Sequence, residues 1–421
     1  MTSTLIVYGL CALSIVLMLA RPWGTKEVWW PCGGAVLLVA FRLLSPHDAW
    51  TAIAKGADVY FFLTGMMLLS ELARYHGVFD WMASSVVRAA HGSRTRLFAM
   101  LYAAGTMVTI FMSNDATAVV LTPAVLAAVK KSKAEPLPFL LTCAFIANAA
   151  SFVLPISNPA NLVVFYAHMP ALGAWLKMFG LPSVLAIAAT FVLLRWTSRK
   201  DLEGGMEDCE ATELKPAGRW MLWGIALVAA VLLVCSAFDV NLGLPTFCAA
   251  ALIAVAISIK QRAGQGHNGP LEILGKISWS VLPLVAGLFV LVEAVEKRGA
   301  LQITGGWLQA MEHWPRAWAS LGAGFGVGIA ANLLNNLPLG LIAGASVHAA
   351  HSSKLITNAV LIGTDLGPNL SVTGSLATIL WLIALRREGM NVSFGKFLKV
   401  GLLVMPPALA LACIALLVGG Q

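Results

Sequence analysis

The sequence GMMLLSELARYHG (residues 65–77) recurs as GLFVLVEAVEKRG (residues 287–299), 222 positions further along the chain (287 − 65). Both copies place Gly, Glu and Gly at the same spacing. The same offset connects Asn114 with Asn336, each of which interrupts an apolar run. Internal duplication of hydrophobic segments is typical of secondary transporters. We therefore predict two related halves joined by a cytoplasmic loop, at residues 1–200, 201–218 and 219–421.

The composition is that of an integral membrane protein. Of the 421 residues, 59% are hydrophobic and 11% are charged, whereas about 25% of a soluble domain is charged. Apolar runs near the length needed to cross a bilayer recur along the whole chain, and the strict alternation of barrel strands is absent. We predict an all-α polytopic membrane protein with about ten transmembrane helices.

The distribution of charge indicates how the two halves are oriented. The net charge is +8, which we attribute to cytoplasmic loops rather than to nucleic-acid binding, because Lys and Arg accumulate on the inner side of a membrane. The region around residue 114 is flanked by Arg94, Arg96, Lys130, Lys131 and Lys133. The region around residue 336 is flanked only by Arg316 and Lys354. The halves should therefore have opposite topologies in a bacterial inner membrane.

Four polar breaks interrupt the apolar helices. They are MSNDAT (112–117), PISNPAN (155–161), LNNLPLG (334–340) and LSVTGSLAT (370–378). Pro, Gly and Asn unwind the backbone there, and the helices that follow direct positive dipole ends towards the break. The stretches at 112–117 and 334–340 predict either re-entrant hairpins or pairs of full spans joined by tight turns, and the inverted repeat favours the hairpins. Two hairpin tips and two broken helices can then converge on one midplane pocket.

The breaks contain mostly neutral hydrogen-bonding side chains. No Arg or Lys lies within them, and a dicarboxylate or phosphate site would be expected to include cations. The composition suits a small, neutral, polyol-like solute. The candidate substrate-binding residues are Asn114, Thr117, Asn148, Ser157, Asn158, Asn161, Asn335, Asn336, Asn369, Thr373 and Ser375.

Two acidic residues lie deep in the apolar segments. A charge at the bilayer centre costs about 2.5–3.5 kcal/mol on insertion scales, so Asp115 and Asp365 need a partner or a function, and we predict proton coupling. For Asp115 the alternative is a plain N-cap of the helix that follows. Glu71 and Glu293 lie near span ends, where a salt bridge or interface exposure would be ordinary.

The sequence predicts neither an enzyme nor a metal protein. It contains no Walker A, GxSxG or HExxH motif. Its seven cysteines are scattered singly, which suggests neither a disulfide framework nor a zinc site. No cofactor is predicted.

At its breaks the chain resembles the ArsB arsenite efflux permeases of the ion transporter superfamily. The resemblance rests on NDATAVVLTP (114–123), NNLPLGLIAG (335–344) and LIGTDLGPNLSVTGSLATILWL (361–382). It implies efflux of arsenite and antimonite in exchange for protons, and a fold of two inverted repeats, each with a re-entrant hairpin and a broken helix. It also implies, for some members, an ArsA-type ATPase partner. A homodimer stays open.

The resemblance assigns the hairpin tips to Ser113-Asn114-Asp115 and Asn335-Asn336. It centres the broken helices on Ser157-Asn158-Pro159 and Thr373-Gly374-Ser375.

The tips depart from those of one branch of the superfamily. Its sodium-coupled carboxylate carriers have Ser-Asn-Thr at both tips, whereas this chain has Ser-Asn-Asp and Asn-Asn-Leu. The absence of hydroxyls at the second tip favours protons over sodium, and arsenous acid, a neutral trihydroxide, suits the uncharged lining. A sodium-coupled carboxylate or anion carrier and a sodium/proton antiporter remain alternatives. A third is a passive channel or a receptor-like membrane protein, although the inverted repeat with paired breaks disfavours a receptor.

Overall fold

A computed structural model describes residues 2–165, 169–207, 212–262 and 269–419. These residues form twenty α-helices and short turns of 3₁₀- or π-helix, and the only β-type pairing within them is an isolated bridge between Ser93 and Gly205. The prediction of an all-α polytopic protein is confirmed.

The two halves contain ten helices each, in the same order. The first ten are α1 (Thr2–Ala20), α2 (Trp29–Ala40), α3 (Pro46–Lys55), α4 (Ala57–Tyr75), α5 (Val78–Ala89), α6 (Arg94–Phe111), α7 (Thr122–Lys131), α8 (Leu137–Ala149), α9 (Pro159–Val164) and α10 (Leu172–Thr197).

The second ten repeat that pattern, and α16 begins 222 residues after α6 (316 − 94). They are α11 (Pro216–Ala237), α12 (Gly243–Arg262), α13 (Gly269–Lys276), α14 (Val281–Glu296), α15 (Ala300–Glu312), α16 (Arg316–Leu334), α17 (Asn336–Ala349), α18 (Lys354–Leu366), α19 (Leu376–Arg387) and α20 (Phe394–Gly419).

Five helices of the described chain are long and apolar enough to cross a membrane without interruption: α1, α10, α11, α16 and α20. Helices α3 and α4 meet at an angle of 48° and together could form a sixth span. The other apolar helices are shorter or end at the polar breaks. Interrupted helices at the breaks agree with the sequence pattern, while the number of about ten spans stays a prediction.

The duplicated motif has the same structural role in both halves. Gly77 (φ 71°) and Gly299 (φ 84°) adopt the left-handed conformation that favours glycine and initiate α5 and α15. A Cβ on Gly65 would lie 2.7 Å from the backbone of Thr246 in α12, and a Cβ on Gly287 would lie 2.8 Å from the backbone of Pro31 in α2. Each half therefore packs its motif helix closely against the second helix of the other half.

The paired glutamates form ion pairs near helix ends. Glu293 accepts a hydrogen bond of 2.6 Å from Lys55 of the other half. Glu71 pairs with Arg74, one turn further along its own helix. Both acids therefore form salt bridges, as is ordinary for acids near the ends of spans.

The first hairpin consists of α6 and α7, and the second consists of α16 and α17. Each hairpin starts and finishes at one end of the molecule. Residues of the central connection bind both ends of the first hairpin, since Met206 N donates to Gly92 O and Glu207 N donates to Ser132 O, each at 3.0 Å. The second hairpin closes in the same way, since Ser353 N donates to Glu312 Oε1 at 2.6 Å. The chain therefore enters and leaves each hairpin on the same side.

Helix α10 places the two hairpins at opposite ends. Its first turns line one cavity together with Glu312 and Ser353, and its last residue leads into the segment that binds Gly92 and Ser132. Its 26 residues correspond to a length of about 39 Å at 1.5 Å per residue. The hairpins thus approach each other from opposite directions. Their depth in a bilayer stays a prediction.

The structure corrects one helix and adds two. The sequence predicts an interfacial helix at Trp307–Trp318, but α15 ends at Glu312, and Pro315 directly precedes α16. This prediction is wrong because residues 307–318 include both the end of α15 and the start of α16. The short helices α3 and α13 were not predicted. The sequence also predicts an interfacial helix at Phe79–His91, which coincides with α5, while its place at the membrane interface stays a prediction.

The close crossing at Gly287 predicts a test of the fold. Gly287→Ala should lower the free energy of unfolding by about 1–3 kcal/mol, because the added methyl group overlaps backbone atoms that cannot move aside. Thermal melting of the purified protein in neutral detergent measures the change. The matched control is Gly180→Ala in α10, where nothing lies within 4 Å of the added Cβ. Equal melting temperatures for the two variants would contradict the crossing.

Candidate functional site

Each half contains one broken helix, with the first break at residues 155–161 and the second break at residues 370–378. The second break binds the end of α8. Asn148, in the last turn of α8, donates through Nδ2 to Asn369 Oδ1 at 3.0 Å and to Thr378 Oγ1 at 3.3 Å. Asn369 returns a bond from its own Nδ2 to Phe145 O at 3.0 Å. All these side chains are buried. Two predicted site residues from different halves, Asn148 and Asn369, are thus in direct contact.

The first break binds the end of α18 in the same manner. Asn158 Nδ2 donates to Asp365 Oδ1 at 2.8 Å, while Asn158 Oδ1 accepts from Ala160 N at 3.0 Å and caps α9. Asp365 has no solvent-exposed surface, and its second oxygen, Oδ2, has no hydrogen-bond partner among the described residues. One predicted proton-coupling residue is therefore held by one predicted substrate-binding residue.

The remaining polar side chains of the first break support its backbone. Asn161 Nδ2 donates to Ser151 O at 2.9 Å and to Leu154 O at 3.3 Å. Ser157 Oγ donates to Ile110 O of α6 at 3.0 Å. Asn161 Oδ1 is buried without a partner in the described chain. These bonds replace those that the unwound helix cannot make itself.

The second break depends on an asparagine that the sequence reasoning missed. Asn332 Oδ1 accepts from Ser371 N at 3.0 Å, and its Nδ2 donates to Gly367 O at 3.0 Å. Thr373 Oγ1 donates to Asn332 O at 2.9 Å, and Ser375 Oγ accepts from Thr378 N at 3.1 Å at the start of α19. The available signal was a lone amide in the apolar helix α16, three residues before the tip.

At the first hairpin tip, the N-cap alternative for Asp115 is wrong. Ser113 Oγ accepts from Ala116 N at 3.2 Å, while Asp115 has helical backbone angles and makes no capping bond. Asn114 is buried, and its Oδ1 has no partner in the described chain. Thr117 shares a 2.8 Å hydrogen bond with Thr109 inside the hairpin, so it is not brought to the other candidate residues.

The second hairpin tip lies directly against the second break. Asn335 combines a positive φ of 70° with an extended ψ of 149°, a backbone conformation that is costly for a residue with a side chain. Its Nδ2 donates to Thr373 O at 3.3 Å, and its Oδ1 accepts from Leu337 N at 3.4 Å. Asn336 N donates to Gly374 O at 2.8 Å. This tip therefore uses its polar groups to bind protein.

A cavity of about 120 Å³ opens beside the first tip and contains Asp115 on its wall. Its lining comes from both halves and includes one lysine, Lys276. A much smaller cavity of about 20 Å³ lies beside Asn335. Asp365 lines neither of these two, so the two acids occupy different settings. The polar or charged members of the larger cavity are Ser70, Glu71, Ser113, Asp115, Lys276 and Ser278.

Comparison with known sequences finds transporters along nearly the whole chain. A family model described as CitMHS, citrate transporter, matches residues 15–363. The arsenical pump membrane protein of Escherichia coli (strain K12) is 27% identical over 427 residues, which cover 98% of each chain. A putative arsenical pump membrane protein of Bacillus subtilis is 22% identical, with 94% of this chain and 95% of the relative covered.

Solved structures with the same fold are also transporters. The YdaH transporter of Alcanivorax borkumensis superimposes with a TM-score of 0.60 at 15% identity, over 99% of this chain and 98% of the other. MtrF of Neisseria gonorrhoeae gives a TM-score of 0.54 at 11% identity, over 98% and 94%. With the sequence relatives, they identify a multi-pass bacterial membrane transporter rather than an enzyme.

The contact between Asn158 and Asp365 predicts a rescue experiment. Asn158→Asp keeps the cap of α9 but removes the donor to Asp365, which should lower the free energy of unfolding by about 1–3 kcal/mol. Adding Asp365→Asn should restore much of the stability, because the new amide can donate in the opposite direction. Thermal melting of the purified variants provides the measurement. A double variant no more stable than Asn158→Asp would show that the bond does not contribute.

Proposed function

Because this chain belongs to the CitMHS citrate transporter family and matches arsenical pump membrane proteins over nearly its full length, we propose that it exports arsenite from the bacterial cytoplasm in exchange for protons. Arsenite would travel as the neutral trihydroxide, and antimonite by the same route. Proton exchange requires no ATPase, so an ArsA-type partner would be an addition to this mechanism rather than a condition for it.

The chemistry of the breaks supports a neutral solute. Asparagine amides and serine or threonine hydroxyls both donate and accept hydrogen bonds, as the three hydroxyls of arsenous acid require. Within the described residues, no group of three or more His, Cys, Asp or Glu side chains could hold a metal ion, and tight capture by several thiolates would oppose release. The neutral side chains of the breaks would allow reversible binding.

The observation that carries the proton proposal is the unpartnered oxygen of Asp365 in the contact between the halves. A buried carboxylate that lacks full pairing costs several kcal/mol, so a change in the contact between Asp365 and Asn158 changes the cost of ionising Asp365. Movement of the halves and proton transfer are then linked. Exchange of a neutral solute for a proton moves one charge, which the membrane potential drives with about 2.3 kcal/mol per 100 mV.

Asp115 would act at the cavity rather than between the halves. Its carboxyl group lines a space of about 120 Å³, which has room for several water-sized groups. A proton can reach this carboxyl from cavity water, and a solute hydroxyl can donate to it. We therefore assign to Asp115 the exchange of a proton for the solute. We assign to Asp365 the link between ionisation of its carboxyl group and movement of the two halves.

The cavity also supports a second candidate, an anion or carboxylate carrier with sodium coupling. Lys276 contributes a cation to the cavity wall, and cations favour carboxylate binding. The printed description of the matching family is a citrate transporter. The neutral breaks and the two acids on the cavity wall, Glu71 and Asp115, favour the arsenite proposal.

Transport in inverted membrane vesicles distinguishes the two candidates. Vesicles containing this protein should accumulate arsenite when an outward-directed proton gradient, acidic inside the vesicle, is imposed, and the accumulation should vanish when an uncoupler collapses the gradient. Vesicles without the protein are the control. Sodium-dependent movement of citrate without movement of arsenite would overturn the proposal and favour the carrier.

Substitution of the two acids tests the coupling. Asp115→Asn and Asp365→Asn should each lower proton-driven arsenite accumulation by about tenfold or more, because neither amide can carry a proton. The matched control is Asp80→Asn, an exposed acid on α5, which should leave accumulation unchanged. Wild-type rates in both site variants would show that the coupling groups lie elsewhere.

A further inference from the structure

A cavity of about 510 Å³ lies at the opposite end of the molecule from the central connection, between α10, α16, α18 and α20. It is far larger than the cavity beside Asp115 and shares no lining residue with it. Lys177, Arg316 and Lys354 line it with one carboxylate, Glu312. With all four ionised, the lining carries an excess of two positive charges (3 − 1).

Three helix N-termini add to this positive potential. The lining includes residues from the first turns of α10, α16 and α18. Neither α10 nor α16 has a side-chain cap at its N-terminus, so backbone N–H groups remain available there. The N-terminal end of a helix attracts anions through these groups and through the helix dipole.

Glu312 is already hydrogen-bonded to the protein, whereas the buried Asn358 on the cavity wall is not. Glu312 Oε1 accepts from Ser353 N at 2.6 Å, so part of its charge is used within the protein. Asn358, which is 4% exposed, lines the floor and makes no side-chain hydrogen bond within the described chain. Lys177, Arg316 and Lys354 likewise form no ion pair among the described residues. The site therefore offers three exposed cations and one buried amide, none of which is bound by an acceptor of the described chain.

The duplicated fold shows how cations near the ends of the first hairpin are used. Arg94 begins α6 as Arg316 begins α16, and its Nη1 donates to Glu203 O at 3.0 Å and Asp201 O at 3.4 Å. Lys133, just before α8, pairs with Glu207 at 2.7 Å. The connection between the halves thus supplies oxygen ligands at that end. No described segment supplies them to Arg316 and Lys354.

We propose that this cavity binds a phosphate-type oxyanion that takes the place of those missing oxygens. Phosphate oxygens accept hydrogen bonds from arginine, lysine and helix N-termini together. Trp314 lines the cavity, and Trp318 lies exposed one turn further along. Exposed tryptophans are typical of the membrane–water interface, where the headgroup of an anionic phospholipid would carry the phosphate. Free phosphate has the same chemistry and must be tested separately.

The test measures thermal melting of the full chain with two phosphate sources. One arm adds inorganic phosphate to protein in neutral detergent. The other compares nanodiscs of phosphatidylcholine with nanodiscs that also contain phosphatidylglycerol. We expect at least one source to raise the melting temperature in a saturable manner. A response only to phosphatidylglycerol would identify a lipid site, and a response to inorganic phosphate would identify a site for the free ion.

Substitutions then locate the effect. Arg316→Gln with Lys354→Gln should weaken the apparent affinity about 100-fold, at about tenfold for each charged group removed. Lys177→Gln alone should weaken it about tenfold, which provides an independent result if the double variant folds poorly. The matched control, Arg42→Gln, removes an exposed cation outside the cavity. No response to either source, or an equal response in the cavity variants and the control, would overturn the proposal.

Discussion

Unwound backbone inside an apolar protein must find hydrogen-bond partners, because lipid cannot provide them. In this chain, asparagine side chains provide many of those partners. Asn161 binds the carbonyl of Ser151, and Asn332 binds that of Gly367. Asn369, directly before the second break, instead bonds to Asn148 and to the carbonyl of Phe145 in α8, and both of these bonds cross from one half to the other. The breaks are therefore stabilised partly by the opposite half, so a change in one break alters the surroundings of the second.

At one pair of equivalent positions, the two halves carry residues of different chemistry. Asn148 precedes the last residue of α8, and Asp365 precedes the last residue of α18. Both side chains reach the break of the other half, where Asn148 donates to Asn369 and Asp365 accepts from Asn158. One contact is between neutral groups, while the other contains a group that can ionise. The symmetric scaffold thus contains one contact with an ionisable carboxyl group and one contact between two amides.

The sequence predicted the order of the elements better than the contacts among them. The repeated glycines and the four breaks follow from local chemistry, since Gly and Pro act on the backbone wherever they occur. Contacts of Thr117 with Thr109, or of Asn332 with Ser371, depend on how helices rotate about their axes, which a run of apolar residues does not specify. The sequence also left one local choice open. The position of Asp115 suits a helix cap, but Ser113, two residues earlier, accepts the capping bond from Ala116 N.

The two halves also differ in how tightly their tips are packed. In transporters built from inverted repeats, alternating access is largely a movement of one repeat against the other around a central site, so the packing around the two tips bears on how each half can move. At the first tip, a cavity of about 120 Å³ separates Asp115 from α4, and Glu71 lines that cavity. At the second tip, only about 20 Å³ remains beside Asn335, and Glu293 is bound to Lys55. The space beside the two tips is therefore unequal, although the duplicated sequence places Asn114 and Asn336 at equivalent positions.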